Sequence, residues 1–229
     1  MKIVDLTHRL CDGLQTHASH PRVVINDFVT HAFSAPRYLP PCGGFATKQL
    51  LMSDHAGTHV DAPSHFYPEG KSIDRQGLDL YMGSALLLDV SHKEPGRQVD
   101  LPLVREVLAR DGLDVAPGDI VLIRAWAGSW GEPEFHSCAG LGLDAAQWLG
   151  ERGIKAVGID LGNIEDNADM TRCVHLYLLG RSIAIYENLA NLNRIGALRF
   201  TFVGLPLALE GCTGSPVRAV ALLDDSLPS

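Results

Sequence analysis

A mixed α/β domain is the expected architecture of this 229-residue chain. Short β-branched or aliphatic runs bounded by turn residues recur along it, helical periodicity appears in only a few places, and no low-complexity tract or Ser/Gly linker divides it. The runs that read as strands are 3–6, 45–51, 85–90, 120–125, 156–159, 183–187, 200–203 and 217–223. Leu101, Val104, Val107 and Leu108 repeat at helical spacing before Gly112, and Leu143, Ala146 and Leu149 do so before Gly153. A third helix fits 168–179, stopped by Gly180. Residues 153–160 read as a helix exit into a buried strand that delivers Asp160 at its C-terminal end, where α/β folds build sites. With no internal boundary, residues 1–229 are expected to form one domain.

Composition narrows the function classes. The chain has 19 Lys+Arg against 27 Asp+Glu, a net charge of −8, and its basic residues are scattered, which argues against nucleic acid or an anionic membrane as the main partner. Apolar stretches such as Ala85–Leu88 fall far short of a membrane span, and Met1–Leu6 contains no signal-peptide core, so a cytoplasmic protein acting on a small molecule is expected. The five cysteines, Cys11, Cys42, Cys138, Cys173 and Cys212, are odd in number and lack a Cys-x-x-Cys pair, so they read as reduced thiols.

The informative feature is a histidine cluster. Residues 53–73 read SDHAGTHVDAPSHFYPEGKSI, which places His55, His59, Asp61 and His65 close together. Imidazole and carboxylate suit Zn, Mn or Fe, and two histidines plus one carboxylate leave coordination positions open for water and substrate. Gly57 and Pro63 oppose a helix here. In an extended segment His59 and Asp61 point the same way, about 6.6 Å apart at Cα, but His55 would lie about 13 Å from His59 unless the chain curls at Ala56-Gly57. Gly57 supplies the freedom for that curl, and Thr58 is placed to hydrogen-bond the backbone or a ligand carboxylate. His65 is either a fourth ligand or a general base, and the base role is favoured because a near-neutral imidazole suits proton transfer.

Two local patterns fail as alternatives. Gly70-Lys71-Ser72 resembles the end of a phosphate-binding loop, but the first glycine of that motif would fall on His65. Cys42-Gly43-Gly44 has no neighbour that would activate the thiol. Downstream, His175 in the third helix and Glu187 at the end of a strand are unremarkable when each is taken alone.

The segment HAGTHVDAPSH resembles the His-x-Gly-Thr-His-x-Asp-x-Pro-x-His signature of the cyclase-like metal hydrolases, a superfamily that includes bacterial kynurenine formamidase and isatin hydrolase. The resemblance extends to VDLTH at 4–8, HFYPEGKSID at 65–74, GDIVLIR at 118–124, AGLGLDAAQWLGERGIKAVGID at 139–160, ENLANL at 187–192 and GCTGSPVRAVAL at 211–222. It implies a swivelling β/β/α-type fold, usually a homodimer or a dimer of dimers, with a divalent metal, Zn or Mn, bound at the positions of His55, His59 and Asp61. Formamidase-like members add the positions of His175 and Glu187 for a second ion bridged by Asp61, so two ions per chain are expected. Isatin hydrolase-like members work with one manganese. The position of His65 is the family's catalytic histidine. This chain departs from its relatives at Asp160–Glu165, where a Thr or Ser and then an Asp are usual, and at 124–130, where Arg-Thr-Gly is usual.

The chemistry expected is hydrolysis of an amide, lactam or related acyl bond of a small aromatic or cyclic substrate, in the manner of an arylformamidase. A metal lowers the pKa of water and polarises the carbonyl, and His65 shuttles the proton to the leaving nitrogen. Phe66, Tyr67, Trp126 and Trp130 are candidates for an aromatic wall, and Arg218 for holding a substrate carboxylate. A metal-dependent lyase or cyclase and a non-catalytic metal-binding protein are the alternative readings.

Overall fold

Strands that are apolar on both faces must be covered on both, and the chain does this with one curled sheet. The computed structural model describes residues 1–224; residues 225–229 of the expected domain lie outside the described residues. The strands are β1 (Lys2–Asp5), β2 (Val24–Val29), β3 (Thr47–Leu51), β4 (His59–Asp61), β5 (Met82–Asp89), β6 (Ile120–Arg124), β7 (Ala156–Ile159), β8 (Ala184–Glu187), β9 (Arg199–Val203), β10 (Gly214–Pro216) and β11 (Val220–Leu223). The helices are α1 (His31–Ser34), α2 (Leu101–Asp111), α3 (Leu143–Glu151) and α4 (Cys173–Leu179).

Nine strands form a mixed sheet in the order β1-β11-β9-β5-β6-β7-β8-β4-β10. Its centre, β5 to β8, is parallel, and α2, α3 and α4 make the crossovers between successive strands. Leu86, Leu88, Val121, Ile123, Val157 and Ile185 pack with the helices in one core. Their alternate neighbours Ala85, Leu87, Ile120, Leu122, Ala156 and Tyr186 form a second core with residues of the flanking strands, such as Val4, Val60 and Phe202. The sheet therefore curls into a half-barrel around its second face. Tyr186 meets Phe202 edge-on at 4.9 Å and donates to Gly204 O at 2.8 Å, which ties the two halves together.

The helices begin and end where local chemistry requires. Asp100 caps α2 by accepting from Leu103 N, Pro102 occupies its first turn, and Gly112 ends it at φ +62°. The third helix is shorter than its periodicity suggests, beginning at Cys173 rather than at 168. Asp166 accepts from Ala168 N and Asp169 from Thr171 N, and these side-chain turns compete with the helix until Arg172, itself left-handed at φ +52°.

The strand expected over 217–223 is shorter, β11 at Val220–Leu223, and the preceding residues Gly214–Pro216 form β10, which pairs with β4 while β11 pairs with β9. Three strands, β2, β4 and β10, were not legible as such, and β2 pairs with β3 in a separate hairpin whose large apolar side chains Phe28, Leu50 and Leu51 are exposed. Among the described residues, no helix is long and apolar enough to cross a membrane.

Candidate metal centre

The histidine cluster folds as its glycine demands. Ala56 N donates to Ser53 O in a tight turn, Gly57 adopts φ +65°, and the chain then enters β4. A Cβ on Gly57 would also lie 2.6 Å from Leu10. Thr58 locks the entry by donating to Asn188 O at 2.5 Å and accepting from His8 N at 2.9 Å, so it holds backbone rather than a carboxylate.

Register brings in the distant members. β4 pairs with β8 so that His59 faces Glu187, and with β10 so that Asp61 faces Gly214. His59, Asp61 and Glu187 thus share one face of the sheet, while Val60 and Tyr186 point into the opposite core. His175 comes down from α4 onto the same spot. His55 Nδ1 lies 2.8 Å and His59 Nε2 3.3 Å from Asp61 Oδ1. His175 Nε2 lies 3.3 Å from Glu187 Oε1 and 3.8 Å from Asp61 Oδ2, and His59 Nε2 lies 3.5 Å from Glu187 Oε2.

Each of these three imidazoles is anchored through its other ring nitrogen. His55 Nε2 faces Thr213 Oγ1 at 2.9 Å, and that hydroxyl donates to Asp54 at 2.9 Å. His59 Nδ1 donates to Gly57 O at 2.8 Å, and His175 Nδ1 donates to the buried Glu165 carboxylate. Such outer partners settle which nitrogen faces inward. His65 is different: its ring packs 4.1 Å from that of His55 and 4.7 Å from that of Phe66, and among the described residues it has no side-chain hydrogen bond.

Electrostatics follow from burial and proximity. Burial alone would raise the Asp61 carboxyl, but the hydrogen bonds and charges of His55 and His59 hold it well below the usual carboxylate range. Burial opposes charge on His59 and His175, yet their carboxylate partners outweigh it and raise them to about 9 and about 10. His65 goes the other way: burial is the largest cause, and it falls to about 4.

The donor set fits divalent cations. Asp61 is 1% exposed, and among the described residues its Oδ2 has no hydrogen-bond partner although it is buried, an arrangement that is costly unless something else satisfies the oxygen. The ligand atoms of His59, Asp61 and Glu187 lie within 4.8 Å of one another, as do those of His55, Asp61 and His65, and Asp61 belongs to both groups.

Other expected site residues are distributed more widely. Phe66 lines the cavity of about 170 Å³ over the cluster. Trp126 and Trp130 line a neighbouring cavity of about 110 Å³ with Asp160, and Trp130 reaches the cluster's edge by donating to Asn188 Oδ1 at 2.9 Å. Tyr67 donates to Leu176 O instead. Arg218 is brought to none of these cavities; it is exposed and forks onto Asp5 at 2.9 and 2.7 Å. Sequence reasoning did not single out Thr213, Asn188 or Arg172, and it noted Glu165 only as a departure from the relatives. The signal for Glu165 was an acid soon after the strand that delivers Asp160.

Comparison with known proteins identifies the family. The family model described as "Putative cyclase" matches residues 4–166. Kynurenine formamidase of Bacillus cereus is 32% identical over 178 residues, covering 78% of this chain and 80% of that protein. Isatin hydrolase A from Labrenzia aggregata, solved with benzyl benzoate, superposes with a TM-score of 0.81 at 23% identity, covering 96% of this chain and 93% of that one. A structure described as a potential metal-dependent hydrolase with cyclase activity gives a TM-score of 0.72 at 25% identity, covering 96% of each chain. The chain belongs to the cyclase family, homologous to the kynurenine formamidases and sharing its fold with the isatin hydrolases.

Proposed function

We propose that the protein is a metal-dependent amidohydrolase that cleaves an amide, lactam or related acyl bond of a small aromatic or cyclic substrate, with residues 1–229 forming one domain of swivelling β/β/α type. The observation that carries this reading is the set of three imidazoles, each anchored at one nitrogen and turned by the other toward Asp61 and Glu187, around a buried Asp61 oxygen with no hydrogen-bond partner among the described residues. His55 and His59 converge on Oδ1 of Asp61 and His175 faces Oδ2, and these residues with Glu187 would hold the divalent ions, Zn or Mn, two per chain being expected because Asp61 belongs to both groups of donors. Bound there, the ions would lower the pKa of a water and polarise a substrate carbonyl.

The remaining chemistry belongs to the side chains. His65 is read as base rather than ligand because its ring is unanchored and stands beside His55 at the cavity wall. A neutral imidazole there accepts the proton of the attacking water and returns it to the leaving nitrogen. Phe66, in contact with the rings of both His65 and His175, excludes bulk water from that transfer.

Elemental analysis of purified protein, paired with amine release from aryl formamides and lactams, tests the reading. Two ions per chain are expected, falling to one or fewer in Glu187→Ala, with metal content kept in His65→Ala while turnover drops by about 10²–10⁴. One ion per chain would favour a single-metal hydrolase. Protein that takes up no divalent metal after reconstitution, or that dehydrates hydroxy acids without releasing amine, would overturn it.

A further inference from the structure

The cavity over the histidine cluster continues into a larger chamber of about 420 Å³, a volume suited to a small ligand. The two share a wall made by Thr16, His17, Gly162, Asn163 and Arg172. Although the chain carries a net charge of −8, among the described residues no Asp or Glu lines the chamber, and Glu187 is the single acid lining the cavity over the cluster. Arg172 is the cation of the shared wall. It is half-buried and left-handed at φ +52°, ψ 35°, a backbone state that costs a non-glycine residue energy and so must be held by its surroundings.

Its guanidinium is largely uncommitted. It makes one hydrogen bond, from Nη1 to Asp166 O at 3.3 Å, and among the described residues it enters no ion pair. Asp169 feels its charge, but that carboxylate accepts from the amide and hydroxyl of Thr171 on Oδ1, at 2.9 and 2.6 Å, and from the Cys173 thiol on Oδ2 at 3.6 Å, and it forms no ion pair with Arg172. Arg124, by contrast, is claimed by Asp89 at 2.7 Å, and Arg218 by Asp5. Beside Arg172, Asn163 Oδ1 accepts from Glu165 N, and its Nδ2 has no protein acceptor among the described residues. A fork of guanidinium donors next to an amide donor, in a wall without acids, is the arrangement that receives a carboxylate bidentately.

We propose that Arg172, with Asn163, is the specificity-determining anchor for a substrate carboxylate, so that the substrates are anionic acyl compounds whose apolar body fills the chamber against Phe135 and Leu161. The inference rests on the hydrolase reading above and names the substrate class for that same site. It also takes the carboxylate-binding role away from Arg218, whose fork is already filled.

The test compares metal-loaded wild type and Arg172→Met on N-formylanthranilate and formanilide, two aryl formamides that differ by a carboxylate. Wild type is expected to favour N-formylanthranilate in kcat/KM by about tenfold or more, as a charged hydrogen-bonded contact implies, and Arg172→Met to bring that ratio near one, chiefly through KM. Arg172→Lys, a point charge without the fork, should recover part of it. Equal preference in wild type, or an unchanged ratio in Arg172→Met, overturns the inference. If neither compound is cleaved, the hydrolase reading fails separately. Calorimetric binding of anthranilate against aniline then still decides: binding of anthranilate that Arg172→Met abolishes supports the anchor, and equal binding of both compounds rejects it.

Discussion

At the scale of single residues, the cluster depends as much on what stands behind each histidine as on the histidines themselves. Glu165 is 2% exposed and accepts both from His175 Nδ1 and, at 3.0 Å, from Val174 N, so it fixes the imidazole and the start of α4 together. Glu165→Gln should therefore weaken divalent-metal binding about 10- to 100-fold in a chelator-competition titration while the fold persists. Asp160 gives a pH-dependent counterpart away from the cluster. Burial is the main influence on its carboxyl and raises it to about 7, against hydrogen bonds from Ala125 N and Trp126 N that pull it down. The folded chain thus holds this proton more tightly than the unfolded chain does. Its contribution to stability is full below the ordinary carboxylate pKa of about 4 and is lost as pH rises through about 7. Urea midpoints measured from pH 4 to pH 8 should show this decline in wild type and a flatter profile in Asp160→Asn.

At the scale of elements, the short strands β4 and β10 matter more than their lengths suggest. Gly214 sits opposite Asp61, and a Cβ there would lie 2.7 Å from His55 Cε1 and 2.8 Å from Val60 O. Only a glycine lets β10 approach closely enough for His55 to rest over the strand pair. Gly214→Ala should cost about 1–3 kcal/mol in urea unfolding and lower metal content by displacing His55. Asp100→Ala, which removes the cap of α2, should cost about 1 kcal/mol and leave metal content unchanged, separating a local effect on the site from a general loss of stability. Helical spacing predicted α2 and α3 because their apolar stripes are continuous. It overextended α4 because Asp166 and Asp169 form side-chain turns that no count of apolar residues registers.

At the scale of the whole molecule, the cluster joins β4, α4 and β8 through side chains that are far apart in sequence, so an ion bound there links elements the backbone connects only indirectly. Ligand binding to the folded chain at a hundredfold excess over Kd adds about 2.7 kcal/mol, and for a domain of this size that corresponds to a shift of about 5–10 °C in Tm. Chelation should lower Tm by that amount in wild type and by less in His55→Ala, as followed by a thermal scan. The sequence by itself determined the mixed α/β class, the central strands with the helices α2 and α3 between them, and the run 55–65 as the candidate ligand segment, because each is written in local periodicity or in a run short enough to act as a unit. The pairing of His55 with Thr213, of His59 with Glu187 and of His175 with Glu165, and the placing of Arg172 between two cavities, were decided by the tertiary structure alone. These contacts are set by strand register and by the curl of the sheet, which depend on how distant segments pack and leave no periodic trace in any one of them.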